Sequence, residues 1–337
     1  MIYRSMPATQ LLLLRQSRQL SKFPSGASLL RRLSRLAAGA ALCGCLVACQ
    51  SQDRTGIPPL VSDSVAGVAE FQFYQDKLIL VSGMVNGYQS RLALASGTSP
   101  TVISRQLAKR IGLAAGVADT VRGSAGAVNS ERIGGVELEL AGWELSGIDV
   151  QVVDLSAFNK ASGAGVDAVV GVDLFSRAVV TIDFPAELIL IEDPLDCSHG
   201  AENGSRMQWT RDGWVVDAVS VEGCGPRKFV LETGDSEAIA LFIGEGEVWA
   251  GLRRDGRTLE QSSAVGVGGQ QTTYRAVFKI VDIAGMAILE VPGTFREPPG
   301  SLVDARISGR LGPSLFKGVR ITLDGPHERF VAEPRVQ

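Results

Sequence analysis

Two distant segments of this sequence hold the same residues at the same offsets. Residues 171–183 read Gly-Val-Asp-Leu-Phe-Ser-Arg-Ala-Val-Val-Thr-Ile-Asp, and residues 312–324 read Gly-Pro-Ser-Leu-Phe-Lys-Gly-Val-Arg-Ile-Thr-Leu-Asp. Glycine, leucine, phenylalanine, threonine and the final aspartate coincide without a gap. Two apolar strands share hydrophobic positions by chance, but not that whole set, so an internal repeat is expected. A second pair marks the same two halves. Residues 92–99, Leu-Ala-Leu-Ala-Ser-Gly-Thr-Ser, and 229–236, Phe-Val-Leu-Glu-Thr-Gly-Asp-Ser, each run a short apolar strand into a hydroxyl–glycine turn. A polypeptide patterned this way is constrained to fold as two like units.

The intervening segments predict strands. Thirty-nine glycines and few long helical patterns favour many strands joined by tight turns. In the first half, the alternating run 78–81, an Asn86-Gly87 turn and the run 90–94 make a hairpin that leads into the Ala95 turn. Ser104 then caps a short helix with Leu107 and Ile111 on one face and Gly112 at its end. A glycine-rich segment, 122–129, and strands 136–140 and 148–153 follow. The second half repeats the order with 214–221, Gly223, 228–231, a glycine-rich 266–271, and strands around 276–281 and 287–291.

These landmarks resemble the retropepsin-like aspartic proteases. In that family a hairpin leads to an Asp-Thr/Ser-Gly turn, followed by a glycine-rich flap and a late apolar-apolar-Gly motif before a short helix. The late motif is Val169-Val170-Gly171 here and, less cleanly, Arg310-Leu311-Gly312. The resemblance spans roughly residues 70–333. It implies an all-β fold of two β-barrel lobes related by a pseudo-twofold axis, with a few short helices. Residues 70–195 form the first lobe and 196–337 the second. Ser96 and Thr233 would bond across the axis, with Gly97 and Gly234 keeping the turns tight. Gly123, Gly126, Gly268 and Gly269 are flap candidates.

At the two family aspartate positions stand Ala95 and Glu232. Aspartic protease chemistry needs two carboxylates ~3 Å apart sharing a proton, one as base and one as acid. Ala95 removes one of them, and Glu232 is one methylene too long. The expected outcome is a peptide- or protein-binding cleft without hydrolysis. The alternative is a divergent peptidase that couples Glu232 to a second carboxylate. Asp235, Asp167 and Asp173 are nearest in sequence to the motifs, whereas Asp183 and Asp324 end matching strands and read as structural.

The bulk numbers exclude other classes. With 45% hydrophobic and 20% charged residues the protein can bury one or two ordinary cores. A net charge of −3 with no dense Lys/Arg face gives no electrostatic case for nucleic acid. The only two histidines, His199 and His327, are far apart and beside turn residues. They read as solvated loop residues, which leaves no Ser-His-Asp triad or His-rich metal site, and no metal or cofactor is expected.

The N-terminal region reads as an export signal. Arg31, Arg32 and Arg35 precede an apolar run, 36–48, too short to span a bilayer. It ends Leu46-Val47-Ala48-Cys49, which resembles the lipobox of bacterial lipoproteins. This implies removal of residues 1–48 as a signal, acylation of Cys49 and a membrane anchor. By resemblance to lipoprotein sorting in enteric-type bacteria, Gln50 and Ser51 after that cysteine, with no aspartate there, favour the periplasmic face of the outer membrane. Residues 49–69 comprise the lipidated cysteine and a tether, polar over 50–64. Cys197 and Cys224 are left either to pair across the junction of the halves or to stay as free thiols.

Overall fold

A computed structural model describes residues 65–123, 126–195, 204–210, 213–266, 269–298 and 306–334. The first lobe begins with β1 (Val65–Tyr74), β2 (Leu78–Val85), β3 (Tyr88–Leu94), β4 (Val102–Ser104) and helix α1 (Arg105–Arg110). It continues through β5 (Val117–Gly123), β6 (Gly126–Leu140), β7 (Trp143–Val153) and helix α2 (Ser156–Ser162). It closes with β8 (Ala168–Val170), helix α3 (Val172–Phe175), β9 (Val179–Asp183) and β10 (Leu188–Glu192).

The second lobe opens with β11 (Ser205–Thr210), β12 (Gly213–Val221), β13 (Cys224–Leu231), β14 (Ile239–Phe242) and helix α4 (Gly246–Arg254). Next come β15 (Glu260–Gly266), β16 (Gly269–Ile283), β17 (Met286–Arg296) and β18 (Ile307–Leu311). A 3-10 turn, Pro313–Phe316, precedes β19 (Val319–Asp324) and β20 (Arg329–Pro334).

Both lobes use one pairing scheme. In the first, β2 pairs with β3, β3 runs parallel to β8, β8 antiparallel to β4, and β4 parallel to β7. The order then returns through β7–β6–β5, while β6 also pairs with β2 and closes the barrel. In the second lobe β12, β13, β18, β14, β17, β16 and β15 take the same places, and β16 closes onto β12. The fold is therefore all-β and retropepsin-like.

Both lobes stand on one six-stranded sheet, β1–β10–β9–β19–β20–β11. At its centre Thr181 lies directly opposite Thr322, their hydroxyl oxygens 2.8 Å apart and buried, with Ile182 facing Ile321. The axis relating the lobes passes between these two threonines. One continuous core runs through both lobes and includes Phe71, Leu94, Phe175, Phe229, Leu311 and Phe316. Each such residue contributes ~1.5–3 kcal/mol on burial.

Local chemistry accounts for several boundaries. Asn86 and Gly87 have φ of 47° and 74°, the left-handed pair that a two-residue hairpin turn requires. The Ser104 side chain accepts from Leu107 N and starts α1, as its sequence suggests. Helices α2 and α4 have no side-chain cap to announce them, and the sequence pattern does not reveal them. The tether reading of 49–69 runs too far: β1 starts at Val65, where its first half adds to β10 at the sheet edge. Cys224 is a free thiol, whereas Cys49 and Cys197 lie outside the described residues.

Candidate functional site

The two turns emerge from equivalent strands and are held by equivalent backbone bonds. Ala95 N donates to Val170 O at 2.9 Å, and Thr98 N closes the turn on Ala95 O at 2.9 Å. Likewise, Glu232 N donates to Leu311 O at 2.9 Å, and Asp235 N returns to Glu232 O at 3.1 Å. The late glycines make this fit possible. A Cβ on Gly171 would stand 1.9 Å from Thr98 O, and one on Gly312 1.9 Å from Glu237 O.

The hydroxyls then join the turns across the axis. Ser96 N donates to Thr233 Oγ1 at 2.9 Å, and Thr233 N to Ser96 Oγ at 3.1 Å. Ser96 Oγ donates onward to Leu231 O at 2.8 Å, and Thr233 Oγ1 to Leu94 O at 3.1 Å. Both residues are wholly buried. Four reciprocal bonds thus fix the spacing of the turns, with each hydroxyl both accepting and donating.

The acids differ from that symmetry. Ala95 is buried, and its Cβ occupies the space beside Gly234, where an added Cβ would meet it at 2.6 Å. The extra methylene of Glu232 carries its carboxylate towards the opposite turn. Its Oε1 accepts from Gly234 N at 3.1 Å and, more loosely, from Gly97 N at 3.4 Å. A Cβ on Gly97 would lie 2.1 Å from Glu232 Oε2, so this position requires glycine for the carboxylate to stay where it is. One carboxylate therefore serves the glycine N–H groups of both turns.

Burial pushes Glu232 above the ordinary carboxylate range, and the charge of Asp235 adds to the shift. The positive charge of Arg310 and the Gly234 and Gly97 N–H groups oppose it without prevailing. For Asp235 burial works the same way, but Arg296 and Arg310 outweigh it and hold this acid below its usual range. Asp235 and Arg296 form a buried ion pair at 2.5 Å.

The other acids near the motifs are engaged elsewhere. Asp167 accepts from Arg91 N at 3.0 Å and pairs with Arg110 at 3.1 Å. Asp173 accepts from Thr101 N at 2.7 Å. Asp183 pairs with Arg320, and Asp324 with His327, both at strand ends. Among the described residues no cluster of three or more His, Cys, Asp or Glu residues could hold a metal. His199 lies outside the described residues.

The flap candidates fall on two matching hairpins. Gly123 faces Gly126 at the end of β5 and β6, and Gly266 faces Gly269 at the end of β15 and β16. Gly268 is outside the described residues. One surface cavity of about 480 Å³ lies against the first hairpin, lined by Arg105, Asp119, Ser130 and Glu131 among others. Another, of about 520 Å³, lies on the β1–β3 face, and neither includes a residue of the two turns.

Arg296 and Arg310 were missed as site residues by sequence reasoning. Arg296 is 61 residues from its partner, which no local pattern reveals. Arg310 did leave a signal: a charge in a motif that is otherwise apolar-apolar-Gly.

Two barrels on a shared sheet, with hydroxyl–glycine turns bonded to each other, define an aspartyl-protease-like domain. In agreement, residues 81–174 match the family model described as aspartyl protease. That match runs from β2 into α3, so it includes the Ala95 turn and Gly171 but not Glu232. No curated protein matches this sequence.

Proposed function

We propose that this is an exported, lipid-anchored, aspartyl-protease-like protein that holds an extended polypeptide between its lobes without cutting it. The observation that carries this is that Glu232 is the one carboxylate at the two family aspartate positions. Glu232 alone serves both glycine N–H groups while Ala95 fills the opposite position. With one acid there is no shared proton and no division of roles between base and donor. Asp235 is the other acid whose charge reaches Glu232, and its carboxylate is bound to Arg296. This weighs against the divergent peptidase.

Binding does not need the missing acid. Among the described residues, strands β5 and β15 each pair on one side, leaving an edge to which an extended polypeptide can add as a further strand. The two halves derive from a tandem duplication whose active-site motifs have degenerated. Acylation at Cys49 would anchor the protein to the envelope membrane, each buried methylene contributing ~0.8 kcal/mol.

The test is a protease assay from acidic to neutral pH on wild type, Glu232→Gln, Glu232→Asp, Ala95→Asp and the double change to aspartate. Wild type is expected to be inactive, with cleavage restored at most in the double variant. Wild-type cleavage abolished by Glu232→Gln would sink the proposal.

A further inference from the structure

The second lobe holds an arginine whose side chain carries a buried, unpartnered Nε among the described residues. Arg310 lies on β18 immediately before Leu311, whose carbonyl holds Glu232 N. In the register it stands beside Val230 on one side and Ala240 on the other. Paired residues share a sheet face. That face is distinct from the main core: Val230 clusters instead with Val215, Phe242 and Ile307. The matching position in the first lobe is Val169, which packs against the apolar cluster containing Ala93 and Val102. The two lobes thus differ at this position, with a valine on the apolar face of the first and an arginine on that of the second.

The Nε of the Arg310 guanidinium is sealed from solvent and has no hydrogen-bond partner among the described residues. Glu232 and Asp235 both lie within its electrostatic reach. Neither bonds to it. Glu232 is held by glycine N–H groups, and Asp235 by Arg296 and by Glu237 N. Leaving an arginine partly desolvated without a hydrogen-bonded acid is costly, and an incoming carboxylate relieves that cost with charge-assisted bonds.

We propose that Arg310 forms a carboxylate-binding subsite on the second lobe beside the Glu232 turn, so that the bound polypeptide presents an acidic group there. The acid is either an Asp or Glu side chain or a free C-terminus. This rests on the peptide-binding function proposed above, and the experiment separates the two.

The probes are acetylated, amidated octapeptides of Val and Thr with one Glu, Gln or Lys placed at each position in turn. A further neutral peptide ends in a free carboxylate. Affinity for the mature protein is read by fluorescence anisotropy, alongside N-acetyl-aspartate titrated against the Arg310 Nε–H resonance. At one register the Glu peptide should bind about tenfold tighter than its Gln counterpart, the gain of one charge-assisted hydrogen bond. The preference should vanish in Arg310→Val and Arg310→Gln while neutral peptides bind those variants as before. Tighter binding of the free-carboxylate peptide alone would assign the subsite to a peptide terminus.

Equal binding of Glu and Gln peptides overturns the subsite and leaves peptide binding standing. An acid preference that survives in both variants overturns it too. If no peptide binds but N-acetyl-aspartate shifts Arg310, the subsite holds and the peptide-binding function falls. If neither probe binds, both fall.

Discussion

Thr233→Val tests whether the crossed hydroxyls hold the turns together. The substitution is close to isosteric, so it leaves little cavity and isolates the loss of hydrogen bonds. Two are removed: the acceptor for Ser96 N and the donor to Leu94 O. Thr233 and Ser96 are fully buried, so water cannot replace either. An orphaned buried donor or acceptor costs ~1–3 kcal/mol, and the carbonyl tolerates its loss better than the N–H. The sum is about 3 kcal/mol. For a folded region of this size, with ~2–4 °C per kcal/mol, the melting midpoint should fall by about 6–12 °C. Calorimetry against Thr120→Val, an exposed control, is the assay. A fall no larger than the control's would refute the claim that these bonds fix the turns. Ser96→Ala should cost a similar amount, because it strands Thr233 N and Leu231 O.

Three further outcomes are expected. Folded Glu232 binds its proton more tightly than the unfolded polypeptide does, so wild-type stability should decline as pH rises from about 4.5 through its raised value. Glu232→Gln should flatten that part of the stability–pH curve and be the more stable protein at neutral pH, as denaturant titrations at several pH values will tell. Asp235→Asn leaves Arg296 buried without its counter-charge and should destabilise by ~3–5 kcal/mol, measured by urea unfolding. Mass analysis of the mature protein should find a diacylglyceryl-modified Cys49 at its N-terminus; an unmodified terminus elsewhere would rule out the anchor.

Much of the frame was legible because it depends on residues with few substitutes. Gly171 and Gly312 approach a carbonyl so closely that no side chain fits, so they stand out in sequence at matching offsets. Ser96 and Thr233 are legible for a similar reason, since only a small hydroxyl can both accept and donate in a buried turn. The ionic layer behind the second turn was not legible. Asp235 and Arg296 meet only after β14 and β17 pair, and either residue alone would suit a solvated surface. The match of residues 171–183 to 312–324 makes Thr181 and Thr322 equivalent but gives no hint that they face each other. That contact depends on β9 pairing with β19, a long-range choice with no local mark. In sequence Glu232 is a lengthened, displaced acid. Its reach to the N–H groups of both turns depends on the two turns meeting across the axis, which no local pattern marks.

The Thr181–Thr322 contact has a consequence for how the polypeptide could be divided. In this antiparallel pair the register sets one pair of equivalent residues, Thr181 and Thr322, face to face. Each lobe therefore completes the other as two copies of a protein would. A lobe expressed alone would expose the open edge of β9 or β19 and tend to associate through it. Cut between residues 195 and 204 and mixed, the two fragments should find one another and rebuild the central sheet, because the recognition surface for reassembly is already written into those two strands.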